Sequence, residues 1–374
     1  MLEDWMRAHY FEAEADIGSS GVEDLSVRRL RELTGLPAAA LDDVLMRDSP
    51  CTGRHDLRAA IAERWGNGDP GWVITTHGGS EAIYTALTTV LEPGDSVIAL
   101  APSYHTHTSV ARSLGCETVP WVLRPELGFA PELDVLRRLV SPRTRAIVVN
   151  FPHNPTGVTL TGGQQRQLIE IAAEADAYLV WDGAFTELTH DGEPLPDPTR
   201  IYGKAISVGT FSKAFGLPGM RFGWCSAHPD VIAGMTRLRD RITLSLSPLL
   251  ELLALHVVGN ADKVVGSRLA QVRRNLSVLD SWAHEHRDCV DYCTPAGGVT
   301  AFPRLLGHPD TEPLCTALAT EDRVLLVPGA AFGHPDRVRL GFGVSPSALD
   351  RGLTALSRRL AGSAAVTEKG DSHV

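Results

Sequence analysis

The chain has 374 residues, 43% of them hydrophobic and 21% charged. This composition excludes wholesale disorder and fits two domains, or one large α/β domain with a smaller one attached. A formal charge of −10 argues against nonspecific binding to nucleic acid or to an anionic membrane. The six cysteines (Cys51, Cys116, Cys225, Cys289, Cys293, Cys315) include no CxxC pair and read as reduced thiols of a cytoplasmic protein, with no metal site and no disulfide frame.

The N-terminal stretch MLEDWMRAHYFEAEADIG is too acidic, and its apolar run too short, for a signal peptide. The first 45 or so residues have no sheet of their own and are expected to pack on the smaller unit. From about residue 72 to about 260, strand-like runs alternate with helical patterns: WVITT, SVIAL, ETVPWVL, AIVVNF, AYLVWD, AISVGT and RFGWCS, with SEAIYTALTTVL and QQRQLIEIAAEAD among the helices. Continuous apolar runs predict strands covered on both faces, hence a mostly parallel sheet between helix layers. The stretch LSLSPLLELLALHVV, interrupted by Pro248 and Glu251, falls short of the ~20 apolar residues of a membrane span and predicts a buried helix.

A long helical region, Asp230 to Trp282, leads into weaker strands (VTAFPRL, RVLLVPG, RVRLGFG) and a last helix, SALDRGLTALSRRL. The reading is a large α/β domain over residues 46–275 and a small α+β domain from 1–45 and 276–361, with a cleft between them. Residues 362–374 are expected to be a disordered tail.

In such sheets ligands bind at the carboxyl ends of the strands, and chemistry-bearing residues gather there. WVITTHGGSEAIY passes through Gly78 and Gly79 into a helix near Ser80, which suits a phosphate but is also an ordinary helix start. NFPHNPTG makes Asn154-Pro155 a turn, or else poises the Asn154 amide over a ligand oxygen. Asp182 ends an apolar strand, where a carboxylate needs a cationic partner such as a protonated ring nitrogen or an arginine. GTFSKAFGLPGMRFGW then sets Lys213 close behind Thr210 and Ser212, and ahead of Arg221.

The order is specific. Asn154 precedes Asp182 by 28 residues, Asp182 precedes Lys213 by 31, and Lys213 precedes Arg221 by eight. With this set the chain resembles the fold type I pyridoxal 5'-phosphate (PLP) enzymes of the class I/II aminotransferase-like group, over about residues 15–360. The resemblance implies PLP attached to Lys213, which also moves the α-proton, and Asp182 at the pyridine nitrogen. It implies Tyr104 (in PSYHTH) stacked on the ring and Asn154 on its phenolate oxygen and the substrate carboxylate. Gly79, Ser80, Thr210 and Arg221 are implied at the phosphate, Arg339 (in RVRLGFG) at the α-carboxylate and Gly21 (in GSSGVED) beside the substrate. A homodimer with its active site at the subunit interface is implied as well.

Two positions depart from that pattern: Phe185 stands where a tyrosine usually reaches the cofactor, and Asp48 where a tyrosine usually reaches the neighbouring subunit's phosphate. Asp48 either faces a cationic substrate or points away. MLEDWMRAHYF, DIGSSGV, VVNFPHNPTG, WDGAFTEL, LSLSPLLE and GGVTAFPR also resemble the capreomycidine synthase-like cyclases of tuberactinomycin and streptothricin pathways. That resemblance implies a small-molecule amino-acid substrate, a 3-hydroxy- or 3,4-dihydroxy-L-arginine. It loses water by β-elimination and is closed by its own guanidine, with Glu23, Asp24 and Asp48 as candidate acids for the guanidinium. An ordinary aminotransferase shares every cofactor residue and is the alternative. A noncatalytic binding domain of a transcription regulator is the third reading, and the acidic charge speaks against it.

Overall fold

Short β-branched and apolar runs bounded by glycine or proline build the central sheet of the computed structural model, which describes residues 2–370. Its seven strands lie in the order Val73–Thr76, Gly223–Ser226, Ala205–Thr210, Tyr178–Asp182, Thr144–Asn150, Ser96–Ala101, Glu117–Val122. Gly223–Ser226 runs antiparallel to both of its neighbours, and the other pairings are parallel. The expected double coverage is visible residue by residue. Ala146 and Val148 enter one core with the helices Gly79–Val90 and Pro229–Arg239, while Ile147 and Val149 enter the opposite core with Leu133–Leu139 and Gly162–Glu174.

The register sets the active end of the sheet. Asn150 pairs with Asp182, the last residues of their strands, and Asp182 with Val208, so the third strand runs on to Thr210 beyond them.

The smaller sheets lie on the N- and C-terminal parts of the chain. Val338–Gly341 pairs antiparallel with Thr300–Ala301 and Val327–Pro328, and Ala15–Asp16 runs parallel to Val324–Leu325. From there residues 17–25 thread between two walls. Gly341 N donates to Ile17 O (2.8 Å) and Glu23 N to Gly343 O (2.9 Å) on one side. On the other, Val22 N donates to Lys213 O (3.2 Å) and Leu25 N to Gly216 O (2.8 Å). The N-terminal segment is thereby stitched to both sides of a cleft.

The helical region Asp230–Trp282 is divided into three helices, Pro229–Arg239, Pro248–Val258 and Ala261–Glu285. Pro248 is the first residue of its helix, where its missing N–H costs nothing, so Leu244–Ser247 of the apolar run lie outside it. The last helix is Pro346–Gly370, and residues 371–374 lie outside the described residues.

Candidate active site

A cavity of about 640 Å³ opens at the strand ends, between the sheet and residues 17–25. At one end the strand Val73–Thr76 turns through Gly78 (φ +83°) into the helix Gly79–Val90. A Cβ on Gly78 would stand 2.6 Å from Nη2 of Arg221, and one on Gly223 would stand 2.6 Å from the Gly78 carbonyl carbon. Glycine lets the chain pack this closely, and the first-turn amides with Ser80 and Arg221 form a cradle for an anion.

Arg221 takes a left-handed backbone (φ +48°), and its Nη1 is held by Pro218 O at 2.9 Å and lies 3.4 Å from Ser212 Oγ. Thr210 Oγ1 is within 3.0 Å of both Phe222 O and Ser212 Oγ. Its hydroxyl is thus engaged in holding the loop, and Ser212 joins the cavity lining as a hydroxyl that the sequence reading did not assign.

Lys213 stands in the middle, and its amine donates to Ser20 Oγ at 2.8 Å. Burial pulls its pKa down to about 8, helped by the positive charge of Arg339 and opposed by Asp182 and Glu3. Asp182 is buried, its Oδ2 lies 2.9 Å from His107 Nε2, and its Oδ1 accepts from Ala184 N at 3.0 Å. The Asn150 amide donates to Asp182 O (2.9 Å) and its oxygen accepts from Asn154 N (2.9 Å), which fixes the loop that carries Asn154. Tyr104 lines the cavity with its hydroxyl 3.4 Å from Ser80 Oγ. Behind it, His153 bonds Pro102 O (2.9 Å) and Thr156 Oγ1 (2.7 Å), and burial lowers its pKa to about 3, so it stays neutral.

At the far end Arg339 is 2% exposed and turns Nε (3.0 Å) and Nη2 (2.8 Å) onto Gly18 O, with Nη1 3.4 Å from Asn154 Oδ1. Burial pulls its pKa down to about 10, against the fields of Asp16, Glu3 and Tyr104. Gly21, Glu23 and Asp24 line the mouth, as do Glu3 and Asp16, which sequence reasoning missed. Phe185 is buried at the cavity wall and offers no hydroxyl. Asp48 is exposed and does not line this cavity; within one chain the structure leaves it apart from the other named residues.

His107 and Ser20 were also missed. Each had a faint signal, a second histidine in PSYHTH and a hydroxyl beside Gly21, but their partners are 75 and 193 residues away.

The family model for aminotransferase class I and II matches residues 30–356. The chain belongs to this family. Capreomycidine synthase of Streptomyces vinaceus is 45% identical over 96% of this chain and 93% of its own length. The solved structure of the PLP-dependent cyclase OrfR superposes with a TM-score of 0.92 at 42% identity, covering 96% of both chains. Aspartate/prephenate aminotransferase of Thermus thermophilus is 32% identical over 83% of each chain.

The family's cofactor is PLP, and the cavity fits it. The glycine-lined anion cradle beside Arg221, a half-buried lysine with a lowered pKa and a buried carboxylate all line that cavity.

Proposed function

We propose that the protein is a PLP-dependent cyclase that converts a 3-hydroxy- or 3,4-dihydroxy-L-arginine to capreomycidine or its hydroxy derivative, in the biosynthesis of a peptide-type antibiotic. Its strongest support is the 45% identity to capreomycidine synthase across nearly the whole of both chains. The cavity agrees with it, since an arginine for a carboxylate lies at one end and carboxylates gather at the mouth.

The geometry supports a set of roles. Gly79, Ser80, Ser212 and Arg221 would hold the cofactor phosphate, with Thr210 bracing that loop; Tyr104 would stack on the ring and Asp182, oriented by His107, would pair with the ring nitrogen. When bound, the cofactor supplies an electron sink for the pair left at Cα. Lys213, the attachment residue, is released as the substrate amine takes its place and then removes the Cα proton, a task that suits an amine with a pKa near 8. Arg339 and Asn154 hold the α-carboxylate, with Gly21 and the mouth acids beside the side chain. The net change is loss of one water: the Cβ–O bond breaks, a guanidine nitrogen bonds to Cβ, and a proton returns to Cα. Holding that nitrogen beside Cβ is a proximity effect of several powers of ten, and the reaction requires competing water to be kept out.

The large unit, 46–275, carries the cofactor in this account, and 1–45 with 276–361 form the smaller unit. Two chains pair with their active sites at the interface. Leu45 (72% exposed), Met46 (71%) and Phe11 (84%) give a second copy apolar surface to cover, and Asp48 lies in the same exposed segment as the first two. Among the described residues no helix is long and apolar enough to cross a membrane, and all six cysteines are unpaired, in keeping with a cytoplasmic enzyme.

Incubation with 3-hydroxyarginine and no keto acid tests the reaction by mass analysis. A product lighter by one water with its α-amine retained supports the cyclase. A keto acid with aminated cofactor supports an aminotransferase, the reading favoured by the 32% identity to the Thermus enzyme.

A further inference from the structure

The mouth of the cavity carries four carboxylates, Glu3, Asp16, Glu23 and Asp24, and they are not equivalent. Asp16 Oδ1 is occupied by the amides of Gly18 (2.9 Å) and Ser19 (2.8 Å), where it shapes the turn into residues 18–21. Glu23 lies 3.7 Å from Arg268 and accepts from Gln271 Nε2 at 3.2 Å. Asp24 is exposed, and its carboxyl is pushed up by partial burial and by Asp16. Glu3 is half-buried and has no hydrogen-bond or ion-pair partner among the described residues.

Glu3 also holds a distinct place relative to the reacting groups. It lines the cavity with Lys213 and Arg339, and its charge opposes the lowering of both their pKa values by burial. The helix that carries it, Leu2–His9, is fixed to the body by the buried Leu2 and by Trp5 Nε1 donating to Leu326 O at 3.0 Å. The cation of the same helix, Arg7, is bonded to Asp4. An unpartnered carboxylate on an anchored helix thus lines the same cavity as Lys213 and Arg339.

Ring closure needs that position. An extended arginine chain carries its guanidinium away from Cα, but attack at Cβ requires the chain to fold back toward Lys213. We infer that Glu3 is a specificity-determining residue that binds the substrate's guanidinium and holds the chain folded over Cβ. This assignment rests on the cyclase reading for its substrate.

Calorimetric titration of the holoenzyme with L-arginine and with L-citrulline, its neutral isostere of equal length, tests the assignment. Glu3→Gln should weaken arginine binding about 10-fold and leave citrulline binding within about 2-fold, since only the charge-assisted bond is lost. Asp24→Asn should change the arginine-to-citrulline ratio by less than about 3-fold, as expected of a screened, exposed charge. Equal weakening of both ligands by Glu3→Gln, no weakening of either, or an arginine-selective loss in Asp24→Asn alone overturns the assignment. Should Glu3→Gln fail to fold, Glu3→Asp, which keeps the charge and shortens its reach, must lower the same ratio. Wild-type turnover of 3-hydroxyarginine is assayed in parallel. If no cyclic product forms but the ratio still depends on Glu3, the proposed reaction fails while Glu3 stands as the cation-binding residue.

Discussion

His107 Nε2 lies 2.9 Å from Asp182 Oδ2, with both side chains buried. This contact fixes the orientation of the carboxylate proposed to meet the cofactor's ring nitrogen. Asp182→Ala should retain some cofactor but lose α-proton exchange by orders of magnitude, because the electron sink is weakened. His107→Ala should lower exchange less than Asp182→Ala and cost about 1–3 kcal/mol of stability, since it strands a buried carboxylate oxygen. Deuterium exchange at Cα, followed by NMR, ranks the variants. Near-normal exchange in Asp182→Ala contradicts the role.

Lys213 gives a pH signature in the cofactor-free protein. Its folded pKa is about 8 against an ordinary lysine value of 10.5, so between those values the unfolded chain binds more protons than the folded one. The contribution of Lys213 to stability therefore rises with pH across that window. Buried thiols such as Cys225 and Cys315, pushed up by burial, contribute with the opposite sign in the alkaline range. The informative quantity is the difference between wild type and Lys213→Met in urea melts from pH 7 to 10.5. That difference should move in favour of wild type as pH rises, and a flat difference contradicts a buried, neutral amine.

Gly78→Ala tests the anion cradle. The added Cβ would meet Arg221 Nη2 at 2.6 Å on a backbone with φ +83°, so the arginine must move or the turn must strain. Equilibrium dialysis should show PLP affinity reduced about 10-fold or more. Unchanged affinity would mean that the phosphate sits elsewhere.

Arg339→Lys keeps the charge but loses the planar fork, along with part of its anchorage to Gly18 O. The KM for the amino-acid substrate should rise roughly 10-fold or more while cofactor retention stays unchanged. A fall in cofactor affinity alone would reassign this arginine to the phosphate.

Much of this site was legible because a parallel sheet brings strand ends together. Once the apolar runs were placed, Asn154, Asp182, Lys213 and Arg221 had to converge. Hidden from the sequence were contacts made by folding distant segments. Ser20 meets Lys213 only because residues 17–25 are stitched between the two walls of the cleft, and Glu3 reaches the cavity only because its helix docks on Leu326. Asp48 illustrates the converse: its motif position left it either facing a cationic substrate or pointing away, and in the single chain the segment that carries it is exposed. Local pattern likewise read the whole run LSLSPLLELLALHVV as a helix, which instead begins at Pro248, since proline is tolerated in a helix's first turn and not in its interior.

The central claim is that Lys213 removes and returns a Cα proton while the guanidine closes on Cβ, with no amino acceptor consumed. Turnover of 3-hydroxyarginine by the holoenzyme in deuterium oxide, without any keto acid, tests it most directly. The account predicts many turnovers per active site and a cyclic product that has lost one water, kept its α-amine and gained deuterium at Cα. Turnover that stops after one equivalent until a keto acid is added, or a cyclic product with an unlabelled Cα, would contradict it.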